Sequence, residues 1–181
     1  MFKLSLCLLF LVFAVGLCFN YKPYTVSIVS FNQSNETGVF DTTTLRLIGR
    51  ERLVNGTVEL KEDMDDSHWS FAGELYFNPT ENNNFKRMAF NIPLTPICKA
   101  FKNYRKYFSK HAEYGKQTNF PMHMDVCPVP KGTYYLKNIH LNSDNFPLML
   151  QRGYMLGQGL FYYDGVHVGT YSICTILEDV D

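Results

Sequence analysis

Residues Trp69–Phe77 have the sequence WSFAGELYF, which places Trp69, Phe71, Leu75 and Phe77 at positions two or four apart. Successive side chains of a β-strand point to opposite faces, so these four residues share one face of a strand. A polar, asparagine-rich segment follows and ends the pattern. The segment therefore predicts a strand that turns an aromatic, apolar face towards a core.

Strand-like patterns recur along the rest of the chain. They cover Tyr24–Phe31, Thr44–Ile48, Leu53–Leu60, Phe85–Ile92, Thr133–Leu141, Leu156–Tyr163 and Val166–Ile176. Asp164-Gly165 joins the last two segments and is a strong hairpin turn. Seven or eight short strands at regular intervals predict a mainly β fold, an antiparallel β-sandwich. A closed barrel is the alternative that the pattern leaves open.

One segment has a helical period instead. Its apolar side chains are Ile97, Phe101, Tyr104 and Phe108, at spacings of four, three and four. This predicts one amphipathic helix that begins after Pro96, with Gly115 as its stop. Basic residues fill its other faces, either as a solvated surface or as a docking surface for an anionic head group or a receptor.

Length and composition favour a single folded domain. The chain has 181 residues, of which 46% are hydrophobic, 15% aromatic and 19% charged. These proportions exclude a disordered polar chain and a coiled coil. The 17 Lys and Arg balance the 17 Asp and Glu, so no global positive charge attracts nucleic acid or an anionic membrane.

The first 18 residues have the layout of a signal peptide. Lys3 precedes an uncharged apolar run that is short for a membrane span, and small residues permit cleavage after Gly16 or Cys18. An uncleaved anchor is the alternative. We expect residues 1–18 to be removed and residues 19–181 to form a secreted, extracellular domain without stable membrane insertion.

Three asparagines stand in N-glycosylation sequons. These are Asn32, Asn35 and Asn55. The first two lie close together and predict an exposed, glycan-carrying loop after the first strand. Asn55-Gly56 is also a tight-turn dipeptide, and a turn without sugar is equally consistent with it.

Three cysteines lie well beyond any cleavage site. In an oxidising compartment we expect a disulfide between Cys98 and Cys127, which would close a loop that holds the predicted helix. Cys174 is then a free thiol or the partner of Cys18. The chain lacks a CxxC motif and a Cys/His cluster, so we predict no structural zinc.

The sequence carries no signature of catalysis or of a cofactor. Motifs for nucleophilic hydrolases, zinc proteases and phosphate-binding loops are all missing. The pair His123 and Asp125 is more typical of a structural hydrogen bond than of a catalytic one. The acidic run Glu62–Asp66 lacks the ligand spacing of a calcium loop and favours a solvated turn. We expect no enzyme, no cofactor and no metal site.

The aromatic content suggests a different kind of site. Fifteen Phe and twelve Tyr exceed what a small sandwich core requires. If the two sheets part at one edge, inward side chains line an apolar cavity for a lipid-like ligand; the alternative is a solid core. The predicted lining residues are Trp69, Phe71, Leu75, Phe77, Phe90, Ile92, Tyr134, Leu136, Phe161 and Tyr163.

Several segments resemble one family. The most specific is CPVPKGTYYLKN, residues Cys127–Asn138. Further matching pieces are Arg52–Thr57, Trp69, Ile97-Cys98, Asn119–Pro121, Asn145–Pro147 and Arg152-Gly153. Together, from about Arg46 to Thr170, the chain resembles the insect CheB-type chemosensory proteins, relatives of the ganglioside-activator and MD-2-related lipid-recognition proteins.

The resemblance implies a secreted, immunoglobulin-like lipid-recognition sandwich. It further implies a role in the perception of pheromones through binding of hydrophobic compounds, with a small hydrophobic ligand and a chemosensory receptor or channel as partners. An extracellular interaction module with a solid core, modulating a receptor or channel, is the alternative function.

Overall fold

A computed structural model describes residues 24–35, 38–82, 84–107, 111–141, 143, 146–147 and 150–180. The predicted signal peptide, Cys18 and Phe108 lie outside these residues. In chain order the elements are β1 (Tyr24–Asn35), β2 (Phe40–Asp41), β3 (Arg46–Ile48), β4 (Leu53–Leu60), β5 (Trp69–Asn78), β6 (Lys86–Pro96), α1 (Ile97–Tyr104), a 3-10 turn (Arg105–Tyr107), β7 (Gly132–Ile139), β8 (Gly153–Tyr163) and β9 (Val166–Asp179).

The strands form two antiparallel sheets, as predicted for a β-sandwich. The first sheet has the order β1-β9-β8-β5-β6, and Asp164-Gly165 forms the predicted hairpin between β8 and β9. In the second sheet β4 is central, with β2 and β3 along one edge and β7 along the other. The first sheet has open edges at β1 and β6, so the alternative of a closed barrel is wrong.

Several strands, among them β1 and β6, are longer than their sequence pattern indicates. β1 continues to Asn35 because it keeps its pairing with β9, where Asn35 lies opposite Gly169. β6 continues to Pro96, which lies opposite Ser70 of β5. In both cases the neighbouring strand supplies backbone hydrogen bonds that the local alternation of side chains does not reveal.

The helix is shorter than predicted. α1 has eight residues and ends at Tyr104. Gly115 lies in a turn instead of at a helix end, and its N–H donates to Thr118 O at 2.7 Å. This segment instead pairs with β7, where Lys137 N donates to Gln117 O at 2.8 Å. The described part of the chain contains no helix long and apolar enough to cross a membrane.

A side chain from outside the helix caps its first turn. Pro96 offers no capping side chain, and Asp66 Oδ1 accepts a hydrogen bond from Cys98 N at 2.6 Å. A carboxylate at this position is also stabilised by the positive end of the helix dipole. The acidic run before β5 thereby fixes where α1 begins on the sheet.

Arg52 joins the two sheets at one end of the sandwich. It lies in the turn between β3 and β4 and donates hydrogen bonds to the carbonyl oxygens of Ile28 and Val29. The pairing of β1 with β9 is interrupted at this point, between Ile28 and Ser30. A guanidinium suits this place because it offers several donors to carbonyls at a break in the ladder.

Candidate functional site

Most buried apolar side chains of the described residues belong to two separate clusters. The first core cluster surrounds the start of β5 and of α1; its buried members are Val39, Phe40, Met64, Trp69, Ile97, Cys98, Val129 and Val168. The second core cluster consists of Tyr24, Val26, Met155 and Leu177, against which Leu141, Phe146 and Leu150 pack. The strand registers place the two clusters at opposite ends of the first sheet.

Between these clusters, several apolar side chains of both sheets are only half-buried, while Val54, which lies opposite Ile139, is buried. We call this region the central inner surface; it comprises Phe31, Gly157, Tyr171 and Ile173 of the first sheet and Val58, Leu136 and Ile139 of the second. None of them belongs to either core cluster of the described residues. Burial is therefore greatest at the two ends of the interior, and several inward side chains between them keep part of their surface exposed.

Glycines occupy inward positions of this same part of the first sheet. A Cβ added at Gly159 would lie 2.8 Å from Phe71 Cε2, so the missing side chain makes room for that ring. At Gly157 the nearest atoms would be Ile173 O at 3.9 Å and Leu75 Cδ1 at 4.0 Å, so a Cβ there would make only ordinary van der Waals contacts. Glycine within a strand often marks a place where a ligand or another group comes close to the backbone.

An aromatic contact bridges the sheets next to the central inner surface. The rings of Phe40, on β2, and Phe161, on β8, have their centroids 4.9 Å apart, and Phe71 lies 5.3 Å from Phe161. Tilted and edge-to-face pairs at these distances are favourable beyond their buried area. These rings lie between the first core cluster and the half-buried central inner surface.

The predicted lining residues fall into three groups. The half-buried ones on the inner face are Phe71, Leu75, Phe77, Ile92, Leu136 and Phe161. Trp69 and Tyr134 are only 1% and 7% exposed, which makes them core residues of the packed end. Tyr163 lies beside the β8–β9 hairpin, and Phe90 is 65% exposed on the edge strand β6. The alternation predicts an inward face but not how far each inward side chain is covered.

Sequence reasoning missed Phe31, Tyr171 and Ile173. Phe31 of β1 lies opposite Ile173 of β9, and Tyr171, two residues before Ile173 on β9, lies opposite Gly159 of β8. The glycines in the interior of predicted strands were the signal that would have directed attention to these neighbours.

The disulfide between Cys98 and Cys127 is present, as predicted, with its Cα atoms 5.6 Å apart. It joins α1 to the loop that precedes β7. Cys174 is a free thiol among the described residues and lies on the outer face of the first sheet, opposite Leu156. Partial burial raises the pKa of the Cys174 thiol, which lowers its reactivity at neutral pH.

Carboxylates of the acidic run accept backbone hydrogen bonds. Asp63 Oδ1 accepts from Lys131 N at 2.7 Å, and Asp65 Oδ1 accepts from Ser67 N at 2.8 Å. Asp66 lies near the sulfurs of the disulfide. Disulfide sulfurs are not thiolates and do not bind metals as thiolates do, so this group offers no cation site of the cysteine type.

His123 and Asp125 do not form the hydrogen-bonded pair that a strand would allow, because the chain there is a loop. Asp125 instead pairs with Lys102 at 3.0 Å and with Arg105 at 2.7 Å. The hydrogen bond from Lys102 lowers the pKa of Asp125. The basic face of α1 is thus partly neutralised from within the chain.

Two of the three sequon asparagines differ from expectation in their setting. Asn32 is exposed, yet it lies within β1 and pairs with Ser172, because β1 extends through the predicted loop. Asn55 lies within β4 rather than in a tight turn, and its Nδ2 is buried. A glycan on Asn55 would need that nitrogen at the surface. Of Asn35 only its backbone pairing with Gly169 is described.

A histidine links the loop before β5 to the β8–β9 hairpin. His68 Nδ1 lies 2.9 Å from Asp164 Oδ1, and Asp164 N donates to His68 O at 2.9 Å. The His68 ring stacks on Tyr163 with centroids 5.6 Å apart. The hydrogen bond to Asp164, together with its negative charge, raises the pKa of His68.

We expect Asp164→Asn to lower the pKa of His68 towards its ordinary value. A raised folded pKa means that the contact stabilises the fold fully below the unfolded pKa, and that this contribution is lost as pH rises through the folded pKa. NMR titration of the His68 ring measures the shift, with Glu178→Gln as a control that leaves it unchanged. An identical His68 titration in Asp164→Asn would show that the pair is not formed.

Comparison with known proteins gives a match over only part of the chain. No curated protein matches it. A family model described as a protein of unknown function, DUF1091, matches residues 72–156. The match extends from β5 through α1 and the disulfide to β8, and over these residues the chain is similar to that family.

Proposed function

We propose that the chain is a secreted protein that binds a small hydrophobic ligand, a lipid or pheromone-like molecule, between its two sheets. The observation that carries the proposal is the pair of core clusters at opposite ends of the sandwich with half-buried apolar side chains between them. No bond is made or broken in this function. The ligand is held because its apolar surface is removed from water when it binds.

Burial of hydrocarbon supplies the affinity. Each buried CH₂ group contributes about 0.8 kcal/mol, so even a part of a long alkyl chain is held firmly in an apolar site. Phe71, Leu136 and Ile173 offer such contacts, and their partial exposure leaves apolar surface for a ligand to cover.

The resemblance to CheB-type chemosensory proteins suggests the biological setting. The match to the DUF1091 model over residues 72–156 is compatible with a lipid-recognition sandwich. The disulfide Cys98–Cys127 suits an oxidising, extracellular environment. In this proposal the protein takes up a poorly soluble pheromone-like compound and presents it to a chemosensory receptor or channel.

Native mass spectrometry of the protein secreted by eukaryotic cells tests this proposal. We expect a fraction of the protein to carry one co-purified lipid, and the delipidated protein to take up a fluorescent alkyl probe that is recovered chemically unchanged. Protein that carries no lipid and takes up no probe would contradict the proposal and favour an interaction module with a solid core. Turnover of ester substrates would show an enzyme.

A further inference from the structure

Tyr171 brings a hydroxyl group to the central inner surface. On β9 it lies between Gln33 of β1 and Gly159 of β8, and direct partners in a sheet share a face. Gly159 faces the ring of Phe71, so Tyr171 points to the interior as well. Because Gly159 has no side chain, the ring of Tyr171 has no side-chain neighbour at that position on β8.

Other inward polar side chains near Tyr171 have hydrogen-bond partners within the chain. Gln33 Nε2 donates to Phe40 O at 2.8 Å, and Thr175 Oγ1 donates to Met155 O at 3.3 Å. In the part of the chain that the structure describes, no group hydrogen-bonds the hydroxyl of Tyr171. The hydroxyl oxygen is not fully buried, so a molecule that covers the central inner surface can reach it and accept its hydrogen bond.

The surroundings of Tyr171 determine which protonation state it offers. Burial raises its pKa to about 12, so the phenol keeps its proton throughout the physiological range and acts as a donor. The inward positions of β1, β4, β5, β7, β8 and β9 carry no Lys, Arg or His, and Lys86 of the edge strand β6, which lies opposite Phe77, is exposed. A carboxylate placed there would lack a counter-charge, whereas a neutral oxygen needs none.

We infer that the hydroxyl of Tyr171 donates a hydrogen bond to a neutral oxygen of the ligand, which selects a long-chain alcohol, ester or ketone over an alkane or a fatty-acid anion of equal length. This inference rests on the proposed function, because it assigns the chemistry of the same site. The apolar side chains hold the alkyl chain, and Tyr171 fixes where along that chain the oxygen lies.

Competition experiments with Tyr171→Phe test the inference. The assay measures the affinities of hexadecan-1-ol, hexadecane and hexadecanoate by their displacement of a fluorescent alkyl probe from the delipidated full mature chain at pH 8. In the native protein we expect the alcohol to bind most tightly. In Tyr171→Phe we expect its affinity to fall by roughly three- to tenfold, the worth of one neutral hydrogen bond, while the affinity for hexadecane is unchanged.

Tyr162→Phe is the matched control, because Tyr162 lies on the outer face of neighbouring β8 and should leave all three affinities unaltered. Equal stability of both variants, measured by urea unfolding, separates recognition from folding. An unchanged ratio of alcohol to alkane affinity in Tyr171→Phe would overturn the inference while the proposed function stands. A native protein that binds none of the three probes would overturn both.

Discussion

Replacing both Cys98 and Cys127 with alanine should lower the free energy of unfolding by about 3.5 kcal/mol. The two cysteines are 29 residues apart, and the chain-entropy relation assigns a loop of that length about this stabilisation. For a chain of this size the loss corresponds to a fall in Tm of roughly 10 °C. The disulfide holds α1 against the loop before β7, so its removal frees the packed end of the sandwich.

Urea unfolding followed by the fluorescence of Trp69 measures this change. Trp69 is the single tryptophan of the chain and is 1% exposed in the first core cluster, so its emission reports on the region that the disulfide secures. Cys174→Ala is the control, because it removes a cysteine from the outer face and leaves the disulfide intact. A double variant as stable as the native protein would show that the loop is already fixed by its other contacts.

Gly157→Leu should block ligand uptake without loss of stability. A Cβ at this position meets only ordinary van der Waals contacts, and the rest of the leucine side chain extends from there over the central inner surface. If it displaces three CH₂ groups of the ligand, binding weakens by about 2.4 kcal/mol, or about fiftyfold.

The stability of this variant distinguishes a hollow interior from a solid one. In a hollow interior the new side chain buries itself and the free energy of unfolding stays the same or rises. In a solid interior it is overpacked, and the free energy of unfolding falls by about 1–3 kcal/mol. Destabilisation together with unchanged uptake of the fluorescent probe would therefore refute a ligand site beside Gly157.

Gln158→Leu is the matched control. It introduces the same side chain at the adjacent position of β8, but on the outer face, where Gln158 Nε2 lies 3.3 Å from Ser172 Oγ. We expect uptake by this variant to equal that of the native protein. A similar loss of uptake in both variants would indicate a general effect of leucine on β8 rather than occupation of the interior.

The fold was largely predictable from the sequence because period-two alternation records which side of a strand meets the core. β4 begins and ends where its pattern does, and the β8–β9 hairpin turns at Asp164-Gly165. The two-residue strand β2 was not predictable, since so short a segment has no period and exists only through its pairing with β4. Its Phe40 nevertheless makes the aromatic contact between the sheets.

The candidate site was only partly predictable. Trp69 and Leu75 share one face of β5 and are equivalent in the sequence pattern. Trp69 is buried among β2, α1 and Val129, whereas Leu75 is half-buried where it packs against the second core cluster beside Gly157. The difference comes from what lies opposite each residue, and that is set by contacts between segments far apart in the chain.

The sequence by itself determined the strands other than β2, the inward face of most of them and the cysteine pair that closes the helical loop. Only the tertiary structure decided that the buried clusters lie at two ends of the sandwich with half-buried apolar side chains between them, and that Tyr171 lies among these side chains. The physical reason is that alternation encodes the direction of a side chain, while the distance to the opposing sheet depends on packing at both ends of the sandwich.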